Sequence, residues 1–273
     1  MTKRIIGCIA IMFTLNANAA TVDTVTIHSN AMQNDLQCVV IKPAGYKKKN
    51  TYPVVYLLHG SGGWYSNLII RVPQLKDEAD KYQLIIVCPD GGKTNWYFDS
   101  PVDPTSQYET YIGKEVPTYI DSHYYTIRDR TGRAISGLSM GGHGGLFLGF
   151  RHADFFGACG SMSGAVDLQN LIGKKDIAQL IGDSAAYPDN WKNYSVMNLV
   201  EHYPKDSLAI IIDCGTEDFL YKGNHALHEK MLQLKIRHDY IERAGKHEWP
   251  YWRNAIQYQL LFFNNYFKSK KTS

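Results

Sequence analysis

Seven short apolar runs recur along this chain, and most are separated by stretches with helical spacing. They cover residues 38–41, 54–58, 84–88, 134–138, 157–162, 208–214 and 239–242, and each is bounded by Gly, Pro, Asp or Asn. Most of the runs are largely apolar rather than alternating. A strand of that kind is buried on both faces, as in a mainly parallel sheet with helices packed on either side. Helical spacing fits residues 74–81, 108–122, 142–152, 225–234 and 250–267. Residues 21–41 alternate more and carry no helix, so an antiparallel edge hairpin is expected there. The pattern predicts one α/β domain over residues 20–273, with no repeat and no low-complexity linker.

The first residues read differently. Lys3 and Arg4 precede an apolar run, residues 5–15, and then Asn16-Ala17-Asn18-Ala19-Ala20. A basic start, a short apolar stretch and an Ala-x-Ala site are the layout of a secretory signal peptide, with cleavage expected after Ala19. The apolar run is about half of the ~20 residues a spanning helix needs. The expected location is therefore secreted or periplasmic, with no membrane span. Without residues 1–19, the chain has 254 residues with 27 basic and 26 acidic side chains. So even a balance argues against a nucleic-acid binder, whose affinity for phosphates needs clustered Lys and Arg. Cys38, Cys88, Cys159 and Cys214 lie in or at the ends of apolar runs, with no C-x-x-C and no zinc spacing. Buried free thiols are expected. Cys159 and Cys214 come close only if their strands are neighbours.

One connection is unusually long. More than 40 residues separate the run ending near Ser163 from that starting at Leu208. Long connections tend to be functional. A small helical cap over residues 165–207 is expected, the alternative being an ordinary crossover.

Residues 137–141, Gly-Leu-Ser-Met-Gly, form a G-x-S-x-G pattern between an apolar run and a helical stretch. That context suits a strand-to-helix turn so sharp that a side chain at either glycine position would collide with its surroundings. Ser139 then stands exposed as a nucleophile above the sheet. Ser136 and Ser161 lack the paired glycines. Upstream, a strand ends in His59-Gly60-Ser61-Gly62-Gly63. A developing oxyanion needs two fixed N–H groups. The expected donors are the backbone amides of Met140 and Ser61, with His59 bracing the loop.

A serine hydroxyl needs a base, and the base needs an orienting carboxylate. On this fold the chain order is nucleophile, acid, histidine. That order removes His28, His59 and His123. His143 and His152 belong to the helix after the turn, and His202 precedes the strand that leads to the acid. His225, His228, His238 and His247 remain. The first two fall on a helix and the third enters a strand. His247 lies in a loop just past the last strand and is the expected base. Asp213 sits inside a strand, whereas Asp218 lies in the loop beyond it. Asp218 is the expected acid, with Glu217 the competitor and Asp167 a weaker one. Trp96, Tyr97, Tyr187 and Trp191 are the expected cleft lining, although aromatic residues pack in any core.

These stretches together resemble the esterase D-like putative esterase family of α/β-hydrolases, which includes feruloyl esterases, S-formylglutathione hydrolases and mycolyltransferases. The similarity lies in Tyr56-Leu57-Leu58-His59-Gly60, Trp96-Tyr97 with Asp99-Ser100-Pro101, and Tyr108-Glu109-Thr110-Tyr111-Ile112. It continues in residues 133–142, Cys214-Gly215-Thr216-Glu217-Asp218, and Gly245-Lys246-His247 with Trp252. The resemblance implies an α/β-hydrolase fold, a Ser139–Asp218–His247 triad, and an oxyanion hole from Ser61 and Met140. One departure is Glu248-Trp249 after the histidine, where some relatives have Asp and Phe; it is expected to reshape the leaving-group side. The function implied is an exported serine esterase without metal or organic cofactor, acting on feruloyl or acetyl esters of polysaccharides or on similar small esters. Acyl transfer to a sugar or lipid hydroxyl, or a non-catalytic carbohydrate-binding protein on the same fold, are the alternatives.

Overall fold

The structure, a computed structural model, describes residues 19–204 and 207–271. The expected leader lies outside the described residues apart from Ala19. Among the described residues, no helix is long and apolar enough to cross a membrane.

Eight strands form one sheet: β1 (Thr21–Ser29), β2 (Asn34–Lys42), β3 (Val54–Leu58), β4 (Ile85–Pro89), β5 (Arg133–Gly137), β6 (Ala158–Met162), β7 (Ala209–Gly215) and β8 (Asp239–Arg243). Their order is β1-β2-β4-β3-β5-β6-β7-β8. β1 and β2 form the edge hairpin, and β2 runs antiparallel to β4. From β4 onward every pairing is parallel. This is the α/β-hydrolase type of sheet.

The interior strands β3 to β7 are buried on both faces, as their apolar residues require, whereas the edge strands β1 and β8 stay partly exposed. Val54, Tyr56 and Leu58 of β3 pack into one layer with Ile135, Phe147 and Ile212. Val55 and Leu57 face the opposite layer with Ile86, Trp252, Ile256 and Phe263. Successive side chains of a strand point to opposite faces, so one unbroken apolar run supplies two cores. The first layer is closed by the helix Met140–Arg151, buried from Met140 through Phe150, and the second by the long helix Trp249–Lys271.

All four described cysteines are free and buried. β6 and β7 are neighbours, but Cys159 lies opposite Ile210, four residues from Cys214. Burial pushes every one of these thiols up, Cys88 to about 12. Thiols kept protonated in this way are poor nucleophiles.

The long connection between β6 and β7 holds a 3-10 turn (Leu168–Leu171) and the short helices Lys175–Ile181, Pro188–Asn193 and Val196–Leu199. It is stapled to the loop that follows β4. Ser100 Oγ donates to the Leu180 carbonyl at 2.5 Å, and Tyr194 Oη donates to the Asp99 carbonyl at 2.8 Å. This packing corrects two expectations for the cleft. Trp191 is 1% exposed, and its indole N–H donates to the Gly182 carbonyl at 2.9 Å. It is the insertion's own core. Tyr187 is half exposed and lies against Gly182, where φ is +85°. A Cβ there would stand 2.3 Å from the tyrosine ring, so glycine makes room for it. Neither aromatic residue lines the cavity that holds Ser139.

Trp191→Ala is therefore expected to destabilise the fold by roughly 3–5 kcal/mol, as for other large core truncations. Tyr187→Ala should cost about 1 kcal/mol or less. Denaturant midpoints measured on both variants check this, and equal costs would show that the insertion is not built around Trp191.

Candidate active site

The turn between β5 and the helix Met140–Arg151 is set by close backbone contact. A Cβ on Gly137 would stand 2.5 Å from the carbonyl oxygens of Leu58 and Gly141. On Gly141 it would stand 2.4 Å from the Leu58 oxygen and 2.6 Å from that of His59. Only glycine lets the helix start this close to the end of β3. Ser139, squeezed between them, adopts φ +57° and ψ −117°. Such a conformation costs an L-residue roughly 1–3 kcal/mol and persists only where its surroundings enforce it. Here the Ser139 N–H donates to the Met162 carbonyl at 2.9 Å, and the Gly141 N–H to that of Leu138 at 2.8 Å.

Two loops at the same end of the sheet meet this serine. His247, after β8, places Nε2 2.9 Å from Ser139 Oγ. Its Nδ1 lies 2.8 Å from Asp218 Oδ2 and 3.0 Å from Oδ1. A carboxylate can only accept, so Nδ1 carries the proton and Nε2 is free to accept from the hydroxyl. Burial on its own raises the Asp218 carboxyl. The hydrogen bond from His247 and the Leu220 N–H at 2.8 Å outweigh that, and its pKa falls below the ordinary carboxylate value. The acid therefore stays charged beside the imidazole.

The competing residues have other partners. Glu217 is exposed, and Asp167 caps the turn at Gln169. Asp213 is buried between Arg243 Nη1 at 2.8 Å and the Tyr251 hydroxyl at 2.5 Å. His238 bonds His228 at 2.7 Å and the Ile236 carbonyl at 2.8 Å. Ser136 donates to Gln259 at 2.8 Å.

The loop after β3 is braced by His59. Its Nδ1–H donates to the Gly60 carbonyl at 2.9 Å, and its Nε2 accepts from the Gly91 N–H at 2.9 Å. Burial lowers its pKa and keeps the ring neutral, as this double role demands. The Gly63 N–H also donates to the Gly60 carbonyl, at 3.0 Å. A trans peptide points its N–H opposite to its C=O. Holding the Gly60 carbonyl thus aims the Ser61 N–H away from His59. Ser61 and Met140 both line the cavity with Ser139. The Met140 amide is the first of its helix, where N–H groups lack intrahelical acceptors and positive potential gathers.

The cavity has a volume of about 520 Å³. Trp96, at φ +54°, is on its wall, and its indole N–H donates to Asp176 of the insertion at 2.9 Å. Tyr97 is not on the wall, which corrects the expectation for it. It is fully buried, and its hydroxyl donates to the His59 carbonyl at 2.8 Å, so it supports the loop from beneath. Sequence reasoning missed much of the lining: Trp64, Asn67, Arg71 and Phe219, with Trp252 known only as a matching residue and Trp249 only as a departure after the histidine. Among the described residues, no group of three or more His, Cys, Asp or Glu side chains is placed to hold a metal ion.

A profile of the family described as "Putative esterase" matches residues 29–263. The chain belongs to that family. Among solved structures, this esterase-family chain is similar to a ferulic acid esterase, 31% identical with a TM-score of 0.78, over 91% of this chain and 99% of that one. It shares its fold with the S-formylglutathione hydrolase of Staphylococcus aureus, 20% identical with a TM-score of 0.75, over 90% and 99%. It is similar to an acetyl esterase of Caldicellulosiruptor saccharolyticus, 25% identical over 214 residues, 74% of this chain and 79% of that protein. Similarity to the diacylglycerol acyltransferase/mycolyltransferase Ag85A of Mycobacterium leprae is 29% over 206 residues, 63% and 62% of the two proteins. Esterase Rv1288 of Mycobacterium tuberculosis is 33% identical over 138 residues, 49% of this chain but 30% of that protein. The chain thus spans under a third of that relative and under two thirds of the acyltransferase.

In this esterase-family site, His247→Ala is expected to lower kcat/KM on a p-nitrophenyl ester by about 10³-fold or more. His238→Ala should keep most of the wild-type value. The reverse pair of results would move the base from residue 247.

Proposed function

We propose that the protein is an exported serine esterase that works through an acyl-enzyme. The observation that carries this reading is the unbroken hydrogen-bond line from Asp218 through His247 to Ser139 Oγ, ending at a serine held at φ +57°. Ser139 Oγ attacks the ester carbonyl carbon while His247 Nε2 takes its proton. Asp218 stabilises the imidazolium without taking the proton itself. The Ser61 and Met140 amides hold the oxyanion, a contribution typically worth about 2.7–4 kcal/mol per donor. The carbon–oxygen bond to the alcohol then breaks, and His247 returns its proton to the departing oxygen. Water, activated by the same base, attacks the acyl-enzyme and releases the acid. Every proton in this cycle has a named carrier, so the mechanism calls for no metal or organic cofactor.

Feruloyl or acetyl esters of polysaccharides are the proposed substrate class, and similarity to a ferulic acid esterase and an acetyl esterase supports it. Trp96, on the wall and tied to Asp176, is the proposed contact for the acyl group. Acyl transfer is a second reading, favoured by the similarity to an acyltransferase. It differs only in that a second alcohol, not water, attacks the acyl-enzyme.

Wild-type protein is expected to hydrolyse p-nitrophenyl acetate, and Ser139→Ala to fall to the uncatalysed rate. Equal rates in the two would end the esterase reading. Methyl ferulate and acetylated xylan should outrank a short-chain triglyceride in kcat/KM. A sugar or lipid alcohol added at millimolar concentration should leave the product as free acid, and a new ester in its place would select the transfer reading.

A further inference from the structure

The proton that His247 Nε2 returns goes to the departing oxygen, so the alcohol part of the substrate lies on the His247 side of the cavity. That side is a continuous run of aromatic rings. Phe219 lies 4.5 Å from the His247 ring and is 74% exposed. Trp252 meets the same imidazole edge-on at 4.8 Å, and Trp249 meets Trp252 edge-on at 5.3 Å. The Arg71 guanidinium lies 5.7 Å above the Trp249 ring. All four side chains line the cavity with Ser139. Trp96 and the insertion's Leu171, Lys174 and Asp176 line the same cavity.

Arg71 is anchored but electrically uncommitted. It ends the short helix Asn67–Arg71, and its carbonyl accepts from Arg253 Nε at 2.8 Å. Among the described residues, no carboxylate lies within ion-pair distance of its guanidinium. Asp176, the carboxylate among the lining residues, already accepts from the Trp96 indole. A guanidinium held near an indole face by a cation–π contact keeps its N–H edge free for a carboxylate. Carboxylate capture by such a fork is bidentate and charge-assisted.

We infer that Arg71 selects esters whose alcohol carries a carboxylate, set off from the ester oxygen by about a sugar or aryl ring. An acylated uronic-acid unit of an acidic polysaccharide and an acylated hydroxyaryl acid share that chemistry. In either, a ring passes over Phe219 and Trp249 while the carboxylate reaches Arg71. The inference rests on the serine-esterase reading above, because His247 decides which side takes the alcohol.

The test compares two matched pairs at low ionic strength: 4-acetoxybenzoate against 4-acetoxybenzamide, and acetylated polygalacturonate against acetylated xylan. Wild type is expected to prefer the acidic aryl ester by about tenfold in kcat/KM, with the preference shrinking as salt is added. Arg71→Gln should bring that ratio to about one by lowering kcat/KM on the acidic ester. Lys174→Gln, which removes the insertion's cation from the same cavity, should leave the ratio as it is. A preference on the polysaccharide pair as well assigns the carboxylate to an acidic sugar; confinement to the aryl pair assigns it to a hydroxyaryl acid. A wild-type ratio near one, a ratio untouched by Arg71→Gln, or one abolished by Lys174→Gln would overturn the inference. Hydrolysis of the neutral esters that is lost in Ser139→Ala would leave the esterase reading standing in all three cases. Absence of Ser139-dependent hydrolysis on every substrate would overturn both.

Discussion

The whole site depends on how closely one helix approaches one strand. At Gly141 the start of the helix Met140–Arg151 presses on the Leu58 and His59 carbonyls, leaving no space for a side chain. That contact forces Ser139 into its positive φ and lifts its hydroxyl off the sheet. It also sets the Met140 amide directly after the strained serine, at the start of the helix. A Cβ on Gly60 would stand only 3.4 Å from that of Ser139. The strain at Ser139 is sustained by the burial of the helix behind it, and so the core and the chemistry are one construction.

The parallel sheet does the remaining assembly. β3, β5, β7 and β8 all run the same way, so the loops following them emerge at one rim. Residues 108 positions apart in the chain, Ser139 and His247, come within 2.9 Å there. Charges are separated by depth. Asp213, inside β7, is satisfied by Arg243 and Tyr251, whereas Asp218, just past its end, faces the imidazole. A shift of a few residues along one strand and its loop changes a carboxylate from a structural ion-pair partner into one that orients a histidine.

Much of this was legible because its causes are local. An apolar run buried on both faces reads the same in any order of strands, and the G-x-S-x-G turn carries its steric demand in five consecutive residues. Chain order and loop position single out His247 among ten histidines, and the fold brings that residue to Ser139. The cleft lining was less legible, since ring chemistry says nothing of which cavity a ring enters. Trp191 and Tyr187 belong to the long insertion, whose short helices need an internal core of their own, and Trp191 supplies it. Tyr97 neighbours a wall residue but turns beneath the loop to reach the His59 carbonyl, a direction set by two successive positive φ values. Arg71 and Phe219 carry no motif, and only the folded arrangement places them on the His247 side. The signal that was available, Trp249 two residues after His247, concerned that same side.

On the proposed mechanism, one serine among the hydroxyls of the chain is the nucleophile. The most direct measurement is covalent trapping with a fluorophosphonate, followed by intact-mass and peptide mass spectrometry. A single phosphonyl group per chain is expected, attached to Ser139, with labelling abolished in Asp218→Ala/His247→Ala protein that remains folded. Labelling at another residue, or a folded wild-type protein that takes up no label, would contradict it.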